Sequence, residues 1–317
     1  MSLARRAFPL LALLPGIAAA QDTTVRVIVP YAPGGAIDAI GRLFAGRMGA
    51  LLNETWVVEN RSGGNGRIGA EAVARAAGDG RTLMFSADIH LVARQVMRDV
   101  PYDSIADFAP VARVAQGPLV LVGGPKVRAE TLPALIAAMR EAPQSFEFAN
   151  SALGAMGHLA TESFKARIGT PSVETVTYRG TAPALNDVLG GNVALMMAPL
   201  LSVLQHVQTG RLRAFGITAA TRSSVAPTIP TLIEAGLPDF VFIVWYGFWG
   251  PRALPETVVA RLNATAQRIA AEPDVARRLL DFGTEPVAES PGDFIAHIAL
   301  EFARSSGIIR AANIQPE

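Results

Sequence analysis

The 317-residue chain contains no cysteine. That excludes a disulfide, a thiol nucleophile, a lipid-anchoring cysteine and any cysteine-ligated metal. Net charge is almost as scarce, with 28 Lys+Arg against 27 Asp+Glu. Setting aside Arg5 and Arg6, which belong to the N-terminal segment described below, leaves 26 basic and 27 acidic residues. So even a balance gives no electrostatic footprint for nucleic acid or an anionic membrane. Single cations can still act inside a cleft. The hydrolase signatures G-x-S-x-G and H-E-x-x-H are missing, and no His, Asp and Glu residues cluster at metal-ligand spacing. Past the N-terminus no apolar run is long and uninterrupted enough to cross a bilayer, so membrane insertion is not expected. There is no repeat or low-complexity segment, and no cofactor is implied.

The N-terminus has a function of its own. Arg5 and Arg6 precede an apolar run from Phe8 to about Ile17, then Ala18-Ala19-Ala20 and Gln21. A charged start, a short apolar middle and an A-x-A end make residues 1–20 a secretory signal peptide. Cleavage after Ala20 would leave a mature chain outside the cytoplasm.

Half of the residues are hydrophobic, ample for a core, and the mature length suggests two lobes. Apolar strands and amphipathic helices alternate along the chain, as in an α/β protein with parallel sheets. Val25, Val27 and Val29 open a strand that ends at Pro30. Ile37, Ile40, Leu43, Phe44, Met48 and Leu51 then recur at helical spacing. Extended segments at 111–115 and 118–123 lead to Gly123-Gly124-Pro125, where the passage into a second lobe is placed. The stretch Phe240–Gly250 is read as the return. Lobe 1 is therefore expected at 21–123 and 240–317, and lobe 2 at 124–239. Two crossings imply a hinged cleft between lobes, the geometry of proteins that close on a ligand.

Three strand-to-helix turns share one design: Y-A-P-G-G-A at 31–36, N-S-A-L-G-A-M-G-H at 150–158, and Y-R-G-T-A-P at 178–183. Each sets glycine beside small or hydroxyl residues where a helix begins. There several amide N–H groups lack intrahelical partners and an anion is favoured. In open α/β sheets, ligands lie beyond the carboxyl ends of the strands, where these turns are. The candidate ligand-binding residues are Tyr31, Pro33, Gly34, Gly35, Ala36, Ser86, Asn150, Ser151, Gly154, His158, Arg179, Gly180 and Thr181. Tyr31 either walls the cleft or packs beneath its loop. Asp38 stands three residues past Gly35, where an acid caps a helix start rather than faces an anion. Ser86 is a hydroxyl donor at a strand end, and His90 after it a helix-surface residue. Asn150 and Ser151 suit either a carboxylate or an ordinary turn. His158 is structural or ligand-touching, and Arg179 is a salt-bridge partner or faces solvent. Trp245 and Trp249 belong to the core of the crossing strand or to the cleft edge.

With these residues in view, the chain resembles the periplasmic solute receptors of tripartite tricarboxylate transporters, the Bug receptors. The resemblance rests on V-P-Y-A-P-G-G-x-x-D at 29–38 with Arg42, V-V-E-N-R-S-G-G-N-G-R-I-G-A at 57–70 and D-G-R-T-L at 79–83. It continues through G-x-x-G-H-L-A-x-E-x-F at 154–164, Y-R-G-T-A-P-A-L-N-D-V-L-G-G at 178–191, P-T-I-P-T-L-I-E-A-G at 227–236 and G-F-W-G-P at 247–251. It implies a two-lobed, type II-like periplasmic-binding-protein fold, and a small carboxylate ligand held by the first-helix loop and the second-lobe loops, partly through water. It also implies delivery to the membrane permease subunits of an importer, by a receptor expected to be a monomer. The tryptophan that the family carries near Ser305 and Ser306 is absent.

Two other functions compete with this one. The same receptor can present its ligand to the sensor of a two-component system. An exported α/β enzyme is the other, since G-N-G-R-I-G at 64–69 satisfies G-x-G-x-x-G, with Asp88 at a suitable distance. Against it, that motif lies in the second strand-helix unit, with Arg61-Ser62-Gly63 intervening, and the leader directs the chain away from cytoplasmic cofactors.

Overall fold

In the computed structural model, which describes residues 24–317, the first strand β1 (Thr24–Val29) feeds helix α1 (Ala36–Leu52) through the Pro-Gly-Gly turn. The leader and its cleavage site lie outside the described residues. Ile40, Phe44 and Met48 recur every fourth position on α1 and are all buried. Gly41 on the same face lets the helix press onto the sheet, since a Cβ there would stand 2.9 Å from the Phe85 ring.

The unit repeats through β2 (Thr55–Asn60), α2 (Arg67–Ala74), β3 (Thr82–Ala87), the short α3 (Ala93–Val96) and the long β4 (Phe108–Gly123). The second half carries α4 (Leu132–Glu141), β5 (Glu147–Asn150), α5 (Met156–Arg167), β6 (Glu174–Thr177), α6 (Thr181–Leu189), β7 (Leu195–Pro199), α7 (Leu200–Gln208) and β8 (Arg213–Ile217). The chain returns along β9 (Ile243–Pro251) and closes with α8 (Glu256–Ala270), α9 (Pro273–Asp281), β10 (Glu285–Pro286) and α10 (Pro291–Ala311). Strand order is β2-β1-β3-β9-β4-β7-β5-β6, with β8 and β10 also paired to β4.

Parallel pairing, expected throughout, holds only for β1 with β2 and β3 and for β5 with β6 and β7. The two long strands that link the lobes run against each other and against their neighbours. One leaves the first lobe and the other re-enters it, so their directions must oppose. The two extended segments expected at 111–123 are also one strand. Its partner is β9 up to Pro118, then β7 and β8 from Leu119. Gly117 and Pro118 mark that change. A Cβ on Gly117 would lie 2.7 Å from the Gly283 carbonyl. A proline, which cannot donate to a ladder, is tolerated where the ladder changes partner.

Thr218, fully buried, holds the two crossings together. Its N–H donates to Leu119 O (2.9 Å) and its Oγ1 accepts from Leu119 N (2.9 Å). On the other side its carbonyl accepts from Phe242 N (2.9 Å) and its hydroxyl donates to Phe242 O.

Trp245 and Trp249 are core residues, 0% and 1% exposed, packed edge-on or tilted against Phe294. No single regular helix follows β3: a tight turn over Asp88–Val92 leads into α3. All five turn residues are buried, so no solvent-facing side exists for a regular amphipathic helix. His90 is accordingly not on a surface: it lies between Tyr102, Phe108 and Trp249, and burial lowers its pKa to about 3. α10 continues past Arg304 to Ala311, with Ser305 and Ser306 buried and Ser306 Oγ accepting from Gln95 at 2.7 Å. Among the described residues no helix is long and apolar enough to cross a membrane.

Candidate ligand-binding cleft

The β1–α1 turn is held from behind. Asp38, 6% exposed, accepts from Gly34 N (3.0 Å), Arg42 Nε (3.0 Å) and Asn60 Nδ2 (2.9 Å). The Asn60 amide also donates to Tyr31 O at 3.1 Å. Burial works against the Asp38 charge, but the bonds from Arg42, Gly34 and Asn60 outweigh it and hold the carboxyl below its usual range. Asp38 thus grips the turn one residue before the helix N-cap. Gly35, the N-cap itself, has no side-chain cap. Pro33, Gly34 and Gly35 are exposed, and Ala36 is half-buried. Gly34 adopts φ +90°, which disfavours any side chain even though the space around it is open.

Tyr31 packs inward. Its hydroxyl lies where a Cβ of Gly66 would come within 2.8 Å, and Gly66 has φ +91°. Gly69 likewise lets α2 touch Pro30 and the Arg61 carbonyl, its Cβ position being 2.8 and 2.9 Å from them. Packing against the first turn therefore accounts for glycines 66 and 69 of the G-x-G-x-x-G match. Burial raises the Tyr31 phenol well above its usual pKa. The phenol faces Ser86, which is fully buried at the end of β3.

In the second lobe, two turns are stapled together: Tyr178 N donates to Asn150 O and Gly180 N to Ser151 O, both at 2.8 Å. The Asn150 side chain closes its own turn by accepting from Ala152 N (3.2 Å) and donates to Thr177 at 3.3 Å. Gly154 has φ +80°, and its N–H donates to His158 Nδ1 at 3.1 Å. His158 is buried beneath the loop, and that burial lowers its pKa to about 4. It therefore supports the turn as a neutral acceptor. Gly180, at φ +117°, opens α6 without a side-chain cap, and Thr181 is the first residue of that helix. Arg179 is exposed and forms no ion pair among the described residues.

The 150–157 loop also reaches the first lobe. Leu153 joins the apolar cluster of Val92, Val96 and Trp249, and its carbonyl accepts from Asn65 Nδ2 at 2.8 Å. A Cβ on Gly154 would press against Val92 and Val96 at 2.9 Å. Asp88, which the sequence reading weighed only as part of a dinucleotide motif, stands where the two lobes meet. It accepts from Trp245 N at 3.2 Å and faces the Met156 N–H at the start of α5. Burial, then the nearby Glu301, raise its pKa to about 8. The available signal was register: β3 runs parallel to β1 with Met84 beside Ile28, so residues just past Ser86 end beside the Tyr31 turn.

Of the candidates, Tyr31 and Ser86 come together on the first lobe, and Asn150, Ser151, Arg179 and Gly180 on the second. Among the described residues no group of three or more His, Asp or Glu is placed to hold a metal.

The family model described as tripartite tricarboxylate transporter family receptor matches residues 40–314. The chain is 35% identical over 288 residues to the protein BugT of Bordetella pertussis, covering 90% of this chain and 88% of that one. R. palustris Rpa4515, solved with adipate, superposes with a TM-score of 0.86 at 33% identity over 93% of this chain and 98% of its own. MatC from Rhodopseudomonas palustris, with bound malate, gives 0.82 at 29% identity over 90% and 98%. A match over nearly all of the described residues, on a two-lobed α/β frame with glycine-bearing turns in both halves, places the chain in the tripartite tricarboxylate transporter receptor family, whose members bind solutes and are not enzymes.

Proposed function

We propose that the protein is exported, loses its leader after Ala20, and binds a small carboxylate between its lobes for delivery to the permease subunits of a tripartite importer. The observation that carries this reading is the pairing of uncapped helix starts, at Gly35 in the first lobe and at Ala155 and Gly180 in the second. A helix N-terminus favours an anion by about 0.3–1 kcal/mol through its dipole, in addition to its amide hydrogen bonds. A micromolar ligand needs about 8 kcal/mol, more than one turn supplies, so turns from both lobes must converge on it. Gly35 and Ala36 would present backbone donors from the first lobe, on a turn shaped by Pro33 and by Gly34, whose own N–H is taken by Asp38, with Tyr31 and Ser86 behind them. From the second lobe, Asn150, Ser151, Arg179 and Thr181 would supply donors, on turns shaped by Gly154 and Gly180, whose own N–H groups are taken by His158 and Ser151. In this reading the lobes divide near 123 and 240.

The relatives solved with adipate and malate make dicarboxylates the first ligands to try. A thermal-shift screen over mono-, di- and tricarboxylates, amino acids and aromatic acids should show stabilisation by at least one carboxylate, and scattering should show compaction on saturation. Stabilisation by none of them would overturn the proposal. Deleting the gene separates transport from sensing: loss of uptake supports delivery to a permease, whereas intact uptake with lost gene induction supports a sensor.

A further inference from the structure

We infer that Asp88 is the specificity-determining residue of the cleft, and that the ligand carries a protonated amine beside its carboxylate. This deepens the receptor reading above and rests on it.

Asp88 lies between the two turns assigned to the ligand. On one side are the Tyr31 phenol, with which its charge interacts, and the parallel register that sets β3 beside β1. On the other is the N–H of Met156, the first residue of α5. The residue is 5% exposed and has no cationic partner among the described residues. The arginines whose charge reaches the neighbouring Glu301 are otherwise engaged: Arg113 is held by Glu289 at 2.7 Å, and Arg304 lies 4.3 Å over the Phe242 ring. The titratable groups that do face Asp88 are Tyr31 from the first turn, Tyr246 from β9 and Glu301 from α10. None of them supplies positive charge.

A buried carboxylate without a cation either stays protonated or waits for one. A ligand carrying only carboxylates would bring a second anion against it. A ligand with an ammonium two or three bonds from its carboxylate satisfies both neighbourhoods at once, anion on the helix starts and cation on Asp88. A second observation points the same way. Ser86 Oγ, two residues earlier and fully buried, has the Tyr31 phenol beside it and no other polar partner among the described residues, so a lone pair is left for a ligand N–H. The ionisation state sharpens the test. With its pKa at about 8, Asp88 is mostly neutral at pH 7. An arriving ammonium favours the ionised form, and about one proton per ligand should be released.

The experiment uses matched sets that differ only in the substituent: propionate, lactate and alanine; succinate, malate and aspartate; glutarate, 2-hydroxyglutarate and glutamate. Calorimetry on the purified protein at pH 7, in two buffers of different ionisation enthalpy, gives affinity and proton count together. In the set that responds, the aminated member should bind at least about tenfold tighter than the unsubstituted one, with proton release. Asp88→Asn should erase that preference and the proton release, weakening the aminated member far more than the unsubstituted one. Tighter binding of the unsubstituted or hydroxylated member would overturn the inference. So would an equal loss across all members in Asp88→Asn, which would make the residue a structural tie between Trp245 and Met156. If Asp88→Asn does not fold, the wild-type ranking and proton count decide alone. Carboxylates that bind without amine preference sink only this inference, whereas no response to any carboxylate sinks the receptor reading with it.

Discussion

The β1–α1 turn and the β5–α5 turn look alike in sequence, each a strand, a short glycine-bearing link and a helix start, yet the structure holds them in opposite ways. The first is exposed and braced from its own lobe by Asp38, Arg42 and Asn60. The second is largely buried, propped from below by His158 and lodged against Val92 and Val96 of the other lobe. One turn is a fixed platform facing solvent; the other depends on what the opposite lobe offers it. Similar local sequence can therefore serve unlike mechanical roles, and the difference lies in partners tens of residues away.

The comparison is broken most sharply at the platform. Gly34→Val forces a branched side chain onto φ +90°, a conformation that costs about 1–3 kcal/mol at a non-glycine residue. The turn should rearrange and carboxylate binding should nearly vanish, while circular dichroism still reports a folded protein. Unchanged affinity in calorimetry would mean that the platform does not touch the ligand.

Asp38→Ala removes the brace and leaves the glycines in place. Losing hydrogen bonds to a charged group costs about 1–3 kcal/mol, so melting temperature should fall and every ligand should weaken alike. The sign with pH is fixed by the lowered carboxyl. Its folded pKa lies below the unfolded one, so the contribution is complete above about pH 4 and is lost as pH falls through the folded value. In Asp38→Ala that acid loss should be smaller. A switch in ligand preference at unchanged stability would instead make Asp38 a contact residue.

His158→Gln tests the prop. His158 is neutral in the fold, with its pKa lowered from 6.5 to about 4. The unfolded chain binds that proton first as pH falls, so the contribution is complete above about pH 6.5 and is lost between there and pH 4. Urea midpoints over that window should fall less steeply in the variant. His90 and His297, lowered to about 3 and 4, add slope of the same sign, and Asp88, raised to about 8, opposes it across the same window. An unaltered slope would show that His158 is not buried as described.

The smallest effect belongs to Ser151→Ala, which removes one hydroxyl and leaves the backbone donors. A loss of about 0.5–1.5 kcal/mol, or several-fold in affinity, is expected by calorimetry. A loss as large as that of Gly34→Val would reverse the ranking of the two turns.

How much was legible follows from the range of each interaction. Strand and helix periods, the proline that ends β1 and the acid that anchors its turn act within a few residues, and the sequence displays them. Gly66 needs Tyr31 above it, Asn65 reaches Leu153, and Asp88 reaches Trp245 and Met156. Those pairings leave no periodic trace. The unbroken run of β4 was hidden for another reason. Gly117-Pro118 reads locally as a break, and becomes a change of ladder only once β9, β7 and β8 are in place.

That shared strand constrains how the molecule comes apart. Neither lobe owns β4: its first part completes one sheet and its last part the other, and Thr218 ties it to the returning strand at the changeover. A lobe that melted alone would have to strip a strand from the lobe that remained. The two lobes should therefore unfold as one cooperative unit, with calorimetric and van't Hoff enthalpies in agreement, although the chain is long enough for two independent domains.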